Sequence, residues 1–374
     1  LAGVGVVFYL LAALGQRLGE PGLVASHLDL VALGTVADLV PLDQSNRILI
    51  YEGLRRIQAG RCRPGLRALC RVAEIQLRSV TSSSLGFKVA PRLNAAGRLD
   101  DMTIGVRCLV TENEDEALEL AHQLDRLNHE RRDIERRMRA QAEELVDAEY
   151  ALGVDRSTHI VCLFRHDWHE GVVGLIASKI KERCHRPVIA FAPSKSGTLK
   201  GSGRSIPGFH LRDALASVDG AQPGLIERFG GHAMAAGLSI YPENFLQFKE
   251  AFSEAVSKHL NGKKPALDLL TDGELDASEM TLKNAQLLCE SAPWGQGFEE
   301  PIFYGDFEIL EQRIVGEKHL KCTLKLIHSS AIFEGIAFFQ EKLKTKQVRV
   351  AYKLNVNSFR GNESLQLMIE SIEY

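Results

Sequence analysis

The chain has 374 residues, of which 45% are hydrophobic and 25% charged, the proportions of a folded globular protein rather than a disordered or fibrous one, and its length asks for about two to four domains. A formal net charge of -3 rules out a uniformly basic surface, so any anion site has to be local. Seven scattered cysteines without a CxxC pair argue against a disulfide framework or a zinc site and point to reduced thiols in a cytoplasmic protein.

From Leu1 to about Val110 the pattern is mostly helical, with apolar runs at Leu28 to Leu42 and Ile48 to Ile57. The run Val4 to Leu14 is too short to span a bilayer and has no basic residue before it, so a buried helix is expected there. The chain opens inside that helix, on Leu1 rather than Met, which suggests a fragment. Asp38 is the single carboxylate of the apolar run Leu33 to Leu42. Ionised in such a run, it has to cap a helix, find a partner or bind a metal. No carboxylate-histidine cluster adjoins it to complete a metal site.

Between Gly53 and Arg98 ten basic residues stand against one acid, Glu74. The segment is either a localised anion site or a helical face whose partners lie elsewhere in the fold. Its last part, Ala90 to Arg98, reads as a loop in which Arg92 and Arg98 flank small residues. A capping box, Thr111-x-x-Glu114, then opens one helix of about forty residues, roughly 55 Å long. Pairs such as Asp133/Arg137 and Glu135/Arg139 would solvate its outer face, favouring a helix that bridges two domains over one that contacts DNA.

From Thr158 to about Leu260 strands and helices alternate, with buried strands at Ile160 to Phe164 and Pro187 to Phe191 and a helix from Val172 to Cys184, so α/β order with a mainly parallel sheet is expected. Three stretches here could carry chemistry. In Trp168-His169-Glu170-Gly171, at a strand-to-helix turn, His169 either binds a phosphate or packs the turn with Trp168. In Gly201-Ser202-Gly203-Arg204-Ser205, hydroxyls and a guanidinium among glycines make either a hairpin turn or an anion site. In Gly230-Gly231-His232-Ala233-Met234-Ala235-Ala236-Gly237, small residues let a backbone approach a ligand closely, and His232 can serve as hydrogen-bond donor or proton carrier. After the polar linker Asn261 to Pro265, period-two patterning at Val348 to Asn355 and Ser364 to Tyr374 predicts a small antiparallel barrel.

Taken in order, Gly34-Thr35-Val36-Ala37-Asp38, Pro91 to Arg98, Trp168-His169-x-Gly171-Val172-x-Gly174, Gly201 to Ser205 and Gly230-Gly231-His232-x-x-Ala235-Ala236-Gly237 resemble the RecJ family of single-strand-specific DNA exonucleases, in the DHH phosphoesterase superfamily. The resemblance implies an α/β multidomain chain: the C-terminal portion of a DHH domain (1–110), a connecting helix (111–150), a DHHA1 domain (151–262) and a C-terminal β-barrel of the oligonucleotide-binding OB fold (263–374). It implies 5′→3′ hydrolysis of single-stranded DNA in repair and recombination by a two-metal site of Mn2+ or Mg2+, with a single-strand-binding protein and a recombination helicase as protein partners. By the same resemblance Asp38 is a metal ligand, and Arg92, Arg98, Ser202, Arg204, Ser205 and His232 hold phosphates around the scissile bond, His232 with a catalytic part. The Asp-His-His triplet of the family occurs nowhere in the chain, so the expectation is a fragment inactive alone that still binds single-stranded DNA.

In the barrel, Trp294, Phe298, Tyr352 and Phe359 are either stacking platforms or core, with Lys318, Lys321 and Arg360 supplying charge. Competing readings are a phosphodiesterase for short oligonucleotides or cyclic dinucleotides, a non-catalytic single-strand-binding scaffold, and a nucleic-acid-binding appendage like that of alanyl-tRNA synthetases.

Overall fold

The structure is a computed structural model that describes residues 1–151, 160–260, 269–316, 319–359 and 361–373. It divides into two units: Leu1–Pro91 with Glu112–Glu114 and Leu269–Tyr374, and Arg92–Thr111 with Asp115–Asp268.

The first unit opens with helices α1 (Gly3–Leu18), α2 (Leu28–Ala37), α3 (Gln44–Gln58), α4 (Pro64–Val72) and the short α5 (Ser82–Ser84). The Asp43 carboxylate caps α3 by accepting from the Asn46 backbone N–H at 2.8 Å. Helix α1 forms where expected but is not buried: Val6, Val7 and Leu10 are more than half exposed, and its buried residues are Gly5 and Gly15. Much of the basic segment's charge is met by acids outside it: Arg55 by Glu52, Arg63 by the fully buried Asp29, Arg67 by Glu114.

The expected loop at 90–98 is helix α6 (Ala90–Leu99). A π-turn at Leu85–Val89 leads into it, with the Ala90 N–H bonded to the Leu85 carbonyl. That wide turn interrupts the ordinary ladder just where Pro91 has no N–H to give, so the proline does not break the helix.

Helices α7 (Thr103–Val110) and α8 (Glu114–Ala151, 38 residues) follow. Helix α8 starts at Glu114 rather than just after Thr111, whose hydroxyl donates to Glu116. The charges of α8 do pair within the helix, two of them at i,i+4 spacing: Arg131 with Glu135 at 2.8 Å and Arg139 with Glu143 at 2.8 Å, and Arg136 with Asp133 at 3.3 Å.

The second unit is a three-layer sandwich. Strand β1 (Val161–Phe164), helix α9 (Val173–Cys184) and strand β2 (Val188–Pro193) form one crossover unit, with β1 and β2 parallel. Next come β3 (Leu199–Arg204), helix α10 (Leu211–Ala221), β4 (Arg228–Gly231), β5 (Ala235–Ile240) and helix α11 (Phe245–Leu260), and the sheet order is β1-β2-β3-β5-β4. The mainly parallel sheet is thus corrected to a mixed one: β2/β3, β3/β5 and β4/β5 are all antiparallel. Helical crossovers join β1 to β2, which pair in parallel, and β3 to β4, which β5 separates; a short turn at 194–198 returns β2 into β3. One face packs Leu238, Ile240 and Phe191 against α10 and α11. The opposite face packs Val161, Leu163, Val188 and Ala190 against α8 and α9.

The chain then returns to the first unit with helix α12 (Leu282–Ser291) and strands β6 (Phe303–Val315), β7 (His319–Leu326), β8 (Ile332–Ala337), β9 (Gln347–Phe359) and β10 (Asn362–Glu373). They close a barrel in the order β10-β8-β7-β6-β9, with β8 and β10 the parallel pair. Tyr352 and Phe307 fill its interior edge to face, 5.7 Å apart. The loop before β6 clasps the segment after α2. Leu42 N–H donates to the Gln296 carbonyl at 2.7 Å, and the Arg47 guanidinium stands 4.0 Å from the centre of the Phe298 ring, which stacks on Trp294 at 5.0 Å. No helix among the described residues is long and apolar enough to cross a membrane.

Candidate nucleic-acid interface

The β-strand alternation places Lys200, Ser202 and Arg204 on the same face of the sheet as Val188, Ala190 and Ala192, to which they are paired in register. Helices α8 and α9 cover that face over β1 and β2. Over β3, β5 and β4 it carries polar and small residues instead of an apolar layer, and the N-terminal end of α9 borders it.

Gly174, in the first turn of α9, lies against Ser202 and Arg204: a Cβ there would stand 3.0 Å from Ser202 Oγ and 3.1 Å from an Arg204 terminal nitrogen. Arg204 donates to Ser202 Oγ at 3.1 Å and to the Gly203 carbonyl at 2.9 Å, which fixes the fork. No side chain caps α9, so its first-turn N–H groups add to the positive end of the helix. Arg98, at the end of α6, donates to the Gly171 carbonyl at 3.0 Å. A Cβ on Gly171 would stand 2.1 Å from the Arg98 carbonyl oxygen, so glycine is what permits this approach.

The electrostatics of this cluster favour an anion. Burial, and then the positive charge of Arg98, push the Arg204 pKa below its ordinary value. Arg131 on α8 is pushed down first by burial, then by Arg132 and Arg98, with Glu135 opposing. Crowded, partly buried guanidinium groups of this kind are relieved by an incoming phosphate, which accepts their hydrogen bonds and offsets their charge. Arg131 is a neighbour of Arg98 that the sequence concealed, although Glu135 already pairs with it at 2.8 Å. It sits in a helical run of alternating charges that reads as a solvated face, and only the packing of α8 brings it toward Arg98.

The other expected residues fall elsewhere. Arg92 is buried and its Nε is 2.8 Å from Asp125 Oδ1, so a carboxylate already accompanies it. Ser205 is 1% exposed and its hydroxyl donates to the Phe209 carbonyl at 2.7 Å; it holds the end of β3 and does not face the cluster. His169 Nδ1 accepts from the Gly171 N–H at 3.1 Å, and Trp168 is buried with its indole N–H on Gln141, so this pair organises the turn that Arg98 grips. His232 lies exposed on the β4–β5 turn. That turn is pinned by three backbone bonds: His232 N–H to Ala235, Ser205 N–H to Met234 and Leu211 N–H to Ala233. Gly231, with φ of +144°, supplies the backbone conformation there.

Asp38 lies in the first unit, exposed, at the C-terminal end of α2. It is not the N-cap considered from sequence: the chain turns after it, Leu39 adopting φ of +52°. Among the described residues no three His, Cys, Asp or Glu side chains gather as a metal site, so the donor set present does not fit a two-metal centre. In the barrel, Tyr352 is fully buried and belongs to the core. Trp294 and Phe298 stack on each other within the clasp. Lys321 pairs with Glu334. Lys318 and Arg360 lie outside the described residues, as does the side chain of Phe359.

The DHHA1 domain family matches residues 157–258 and the RecJ OB domain family residues 271–371. The single-stranded-DNA-specific exonuclease RecJ of Escherichia coli (strain K12) is 48% identical over 391 residues, which cover the whole of this chain and 67% of that protein. The protein of the same description from Bacillus subtilis (strain 168) is 32% identical over 99% of this chain and 46% of its own length. A crystal structure of RecJ from Thermus thermophilus in complex with Mg2+ matches the whole chain with a TM-score of 0.82 at 30% identity, and a second in complex with Mn2+ matches equally well. The chain spans 56% and 53% of those two structures. On this breadth of agreement, the chain belongs to the RecJ family of single-stranded-DNA-specific exonucleases.

Proposed function

We propose that this chain is the strand-holding part of a 5′→3′ single-stranded-DNA exonuclease of DNA repair and recombination. The observation that carries the reading is the convergence of Arg98, Arg204 and Ser202 beside the uncapped start of α9. Those groups offer two guanidinium forks, a hydroxyl and backbone N–H groups to one phosphate. His232, on a turn held by three backbone bonds, would donate to a second phosphate oxygen or carry a proton. Phosphate contacts of this kind position a strand without reading its sequence, which suits a processive nuclease.

The relatives' complexes with Mg2+ and Mn2+ support a divalent-metal requirement for the intact enzyme, with Asp38 as one ligand and the activation of water as the metals' contribution. Because one carboxylate is not a two-metal site, the chain alone is expected to bind DNA and not to digest it. A cytoplasmic location and association with a single-strand-binding protein and a recombination helicase belong to the same proposal.

The test is fluorescence anisotropy of a labelled oligothymidylate in EDTA, with the Arg204→Ala chain and a duplex competitor alongside. Saturable binding that Arg204→Ala weakens about tenfold or more, with the duplex competing poorly, is the expected result. Failure of the parent chain to bind would overturn the reading. Digestion of the strand by these 374 residues in Mn2+ would overturn the expectation that the chain is inactive alone.

A further inference from the structure

One residue pair further along the same strands, the sheet carries a second cationic seat whose two cations, Lys200 and Arg228, take no part in the phosphate cluster and which borders that cluster at Ser202. Cross-strand register builds two rows on the open face: Ser202, Gly237 and Gly230 in one, and Lys200, Ser239 and Arg228 in the next. Lys200, Arg228, Ser239 and Ser202 line one cavity of about 330 Å3. The glycines leave its floor open: a Cβ on Gly230 would meet nothing within 4 Å, and one on Gly237 only the Gly201 carbonyl at 3.9 Å. Arg228 is exposed and its Nε donates to Ser239 Oγ at 3.3 Å, which leaves its two terminal nitrogens free to serve as a fork. The Lys200 ammonium lies 2.7 Å from Glu170 Oε2, both side chains being substantially solvent-exposed.

We infer that Lys200 and Arg228 form a second phosphate subsite, which receives the nucleotide next to the one held by Ser202 and Arg204 and so sets the path of the single strand across β3, β5 and β4. The inference rests on the reading that Arg204 and Ser202 hold a strand phosphate. Two residues along a β-strand advance roughly 7 Å, on the order of one extended nucleotide. The cavity sits at the lower end of the ~300–1,000 Å3 that hold whole small molecules, a size that suits one nucleotide and not a duplex. Two cations and one carboxylate leave the seat net positive. Glu170 holds Lys200 in place when no strand is bound, and a phosphate arriving there competes with that carboxylate for the ammonium.

The experiment measures oligothymidylate affinity across a salt series for the parent chain, Arg204→Ala, Lys200→Gln, Arg228→Gln, the Lys200→Gln/Arg228→Gln double variant, and Glu170→Gln. The double variant is expected to bind about tenfold more weakly, with the slope of log affinity against log salt reduced by about 0.7, the value for one phosphate no longer neutralised. Glu170→Gln is expected to bind more tightly, since it removes a repelling charge and releases Lys200. If Lys200 matters only as a brace for Glu170, both Lys200→Gln and Glu170→Gln weaken binding and the salt slope stays put, which overturns the inference. If Arg204→Ala weakens binding while the double variant matches the parent, the second subsite is wrong and the first stands. If the parent chain does not bind, or Arg204→Ala has no effect, the underlying reading is what has failed.

Discussion

Arg98 and Gly171 grip one another in both directions: the Arg98 guanidinium donates to the Gly171 carbonyl at 3.0 Å, while the Arg98 carbonyl occupies the space that a side chain on residue 171 would need. The contact ties the end of α6 to the turn that launches α9, and so fixes one guanidinium relative to the start of a helix. Gly171→Ala would drive a Cβ to 2.1 Å from a backbone oxygen that has no way to swing aside. A loss of about 1–3 kcal/mol of stability is expected, together with weaker binding of single-stranded DNA. Chemical denaturation of the variant reads the first and anisotropy the second; unchanged stability would mean that the turn relaxes freely.

Gly174→Val tests the cluster without testing the fold. Its added Cβ would crowd Ser202 Oγ and the tip of Arg204, both able to move. Stability within about 1 kcal/mol of the parent and a severalfold drop in DNA affinity are expected, from melting curves and anisotropy on the same preparation. A variant that binds normally would remove Gly174 from the interface.

Ser202 and Ser205 differ by three positions and should behave oppositely. Ser205→Ala removes a buried bond to the Phe209 carbonyl and should cost about 1 kcal/mol of stability with little change in DNA affinity. Ser202→Ala should leave the melting temperature alone and weaken binding about tenfold or more, as expected for one hydrogen bond to a charged group. The reverse pattern would place the phosphate on Ser205.

This reversal shows how far the chain was legible. Period-two patterning identified the barrel, and apolar runs with the intervening helix identified β1, α9 and β2, because burial of a face leaves a direct mark on residue spacing. The segment 199–204 looked like a turn because its glycines are turn formers. It is a strand in which Gly201 and Gly203 face Phe191 and Leu211, too close to admit a side chain. The loop expected at 90–98 failed for a similar reason: a proline reads as a break, and the π-turn that accommodates it has no sequence signature. Which hydroxyl of Ser202 and Ser205 faces outward, and that Arg131 lies near Arg98, depend on tertiary packing that spacing does not encode.

Tyr352→Ala should cost the barrel about 3–5 kcal/mol, the usual consequence of removing a buried aromatic ring. Tyr352→Phe gives up only the approach of its hydroxyl to Met280 Sδ at 3.5 Å and should cost under about 1 kcal/mol. Denaturant midpoints for the two variants check this. A Tyr352→Ala protein as stable as the parent would contradict the ring's place in the core.

Glu300 gives the barrel a pH dependence with a definite sign. Burial raises its carboxyl above the ordinary 4.5, with Lys353 opposing and Glu370 reinforcing the shift. The folded chain therefore holds that proton more tightly than the unfolded chain. This contribution to stability is complete below the unfolded value and is lost as pH rises through the folded one. Relative to Glu300→Gln, the parent should lose melting temperature as pH rises above the ordinary carboxyl value of 4.5, the difference between the two being smallest at the acid end. A difference that does not vary with pH would sink the idea.

The clasp in which Leu42 meets Gln296 and Arg47 meets Phe298 joins positions some 250 residues apart in the chain, with the whole second unit inserted between them. On a ribosome adding about 5–20 residues per second, Pro41 to Arg47 must wait on the order of ten seconds or more for their partners to be made. The inserted unit has all its strands in hand before then. Synthesis order thus makes the later-numbered unit the earlier one to mature, and leaves the opening helices waiting on partners that are made after that whole unit.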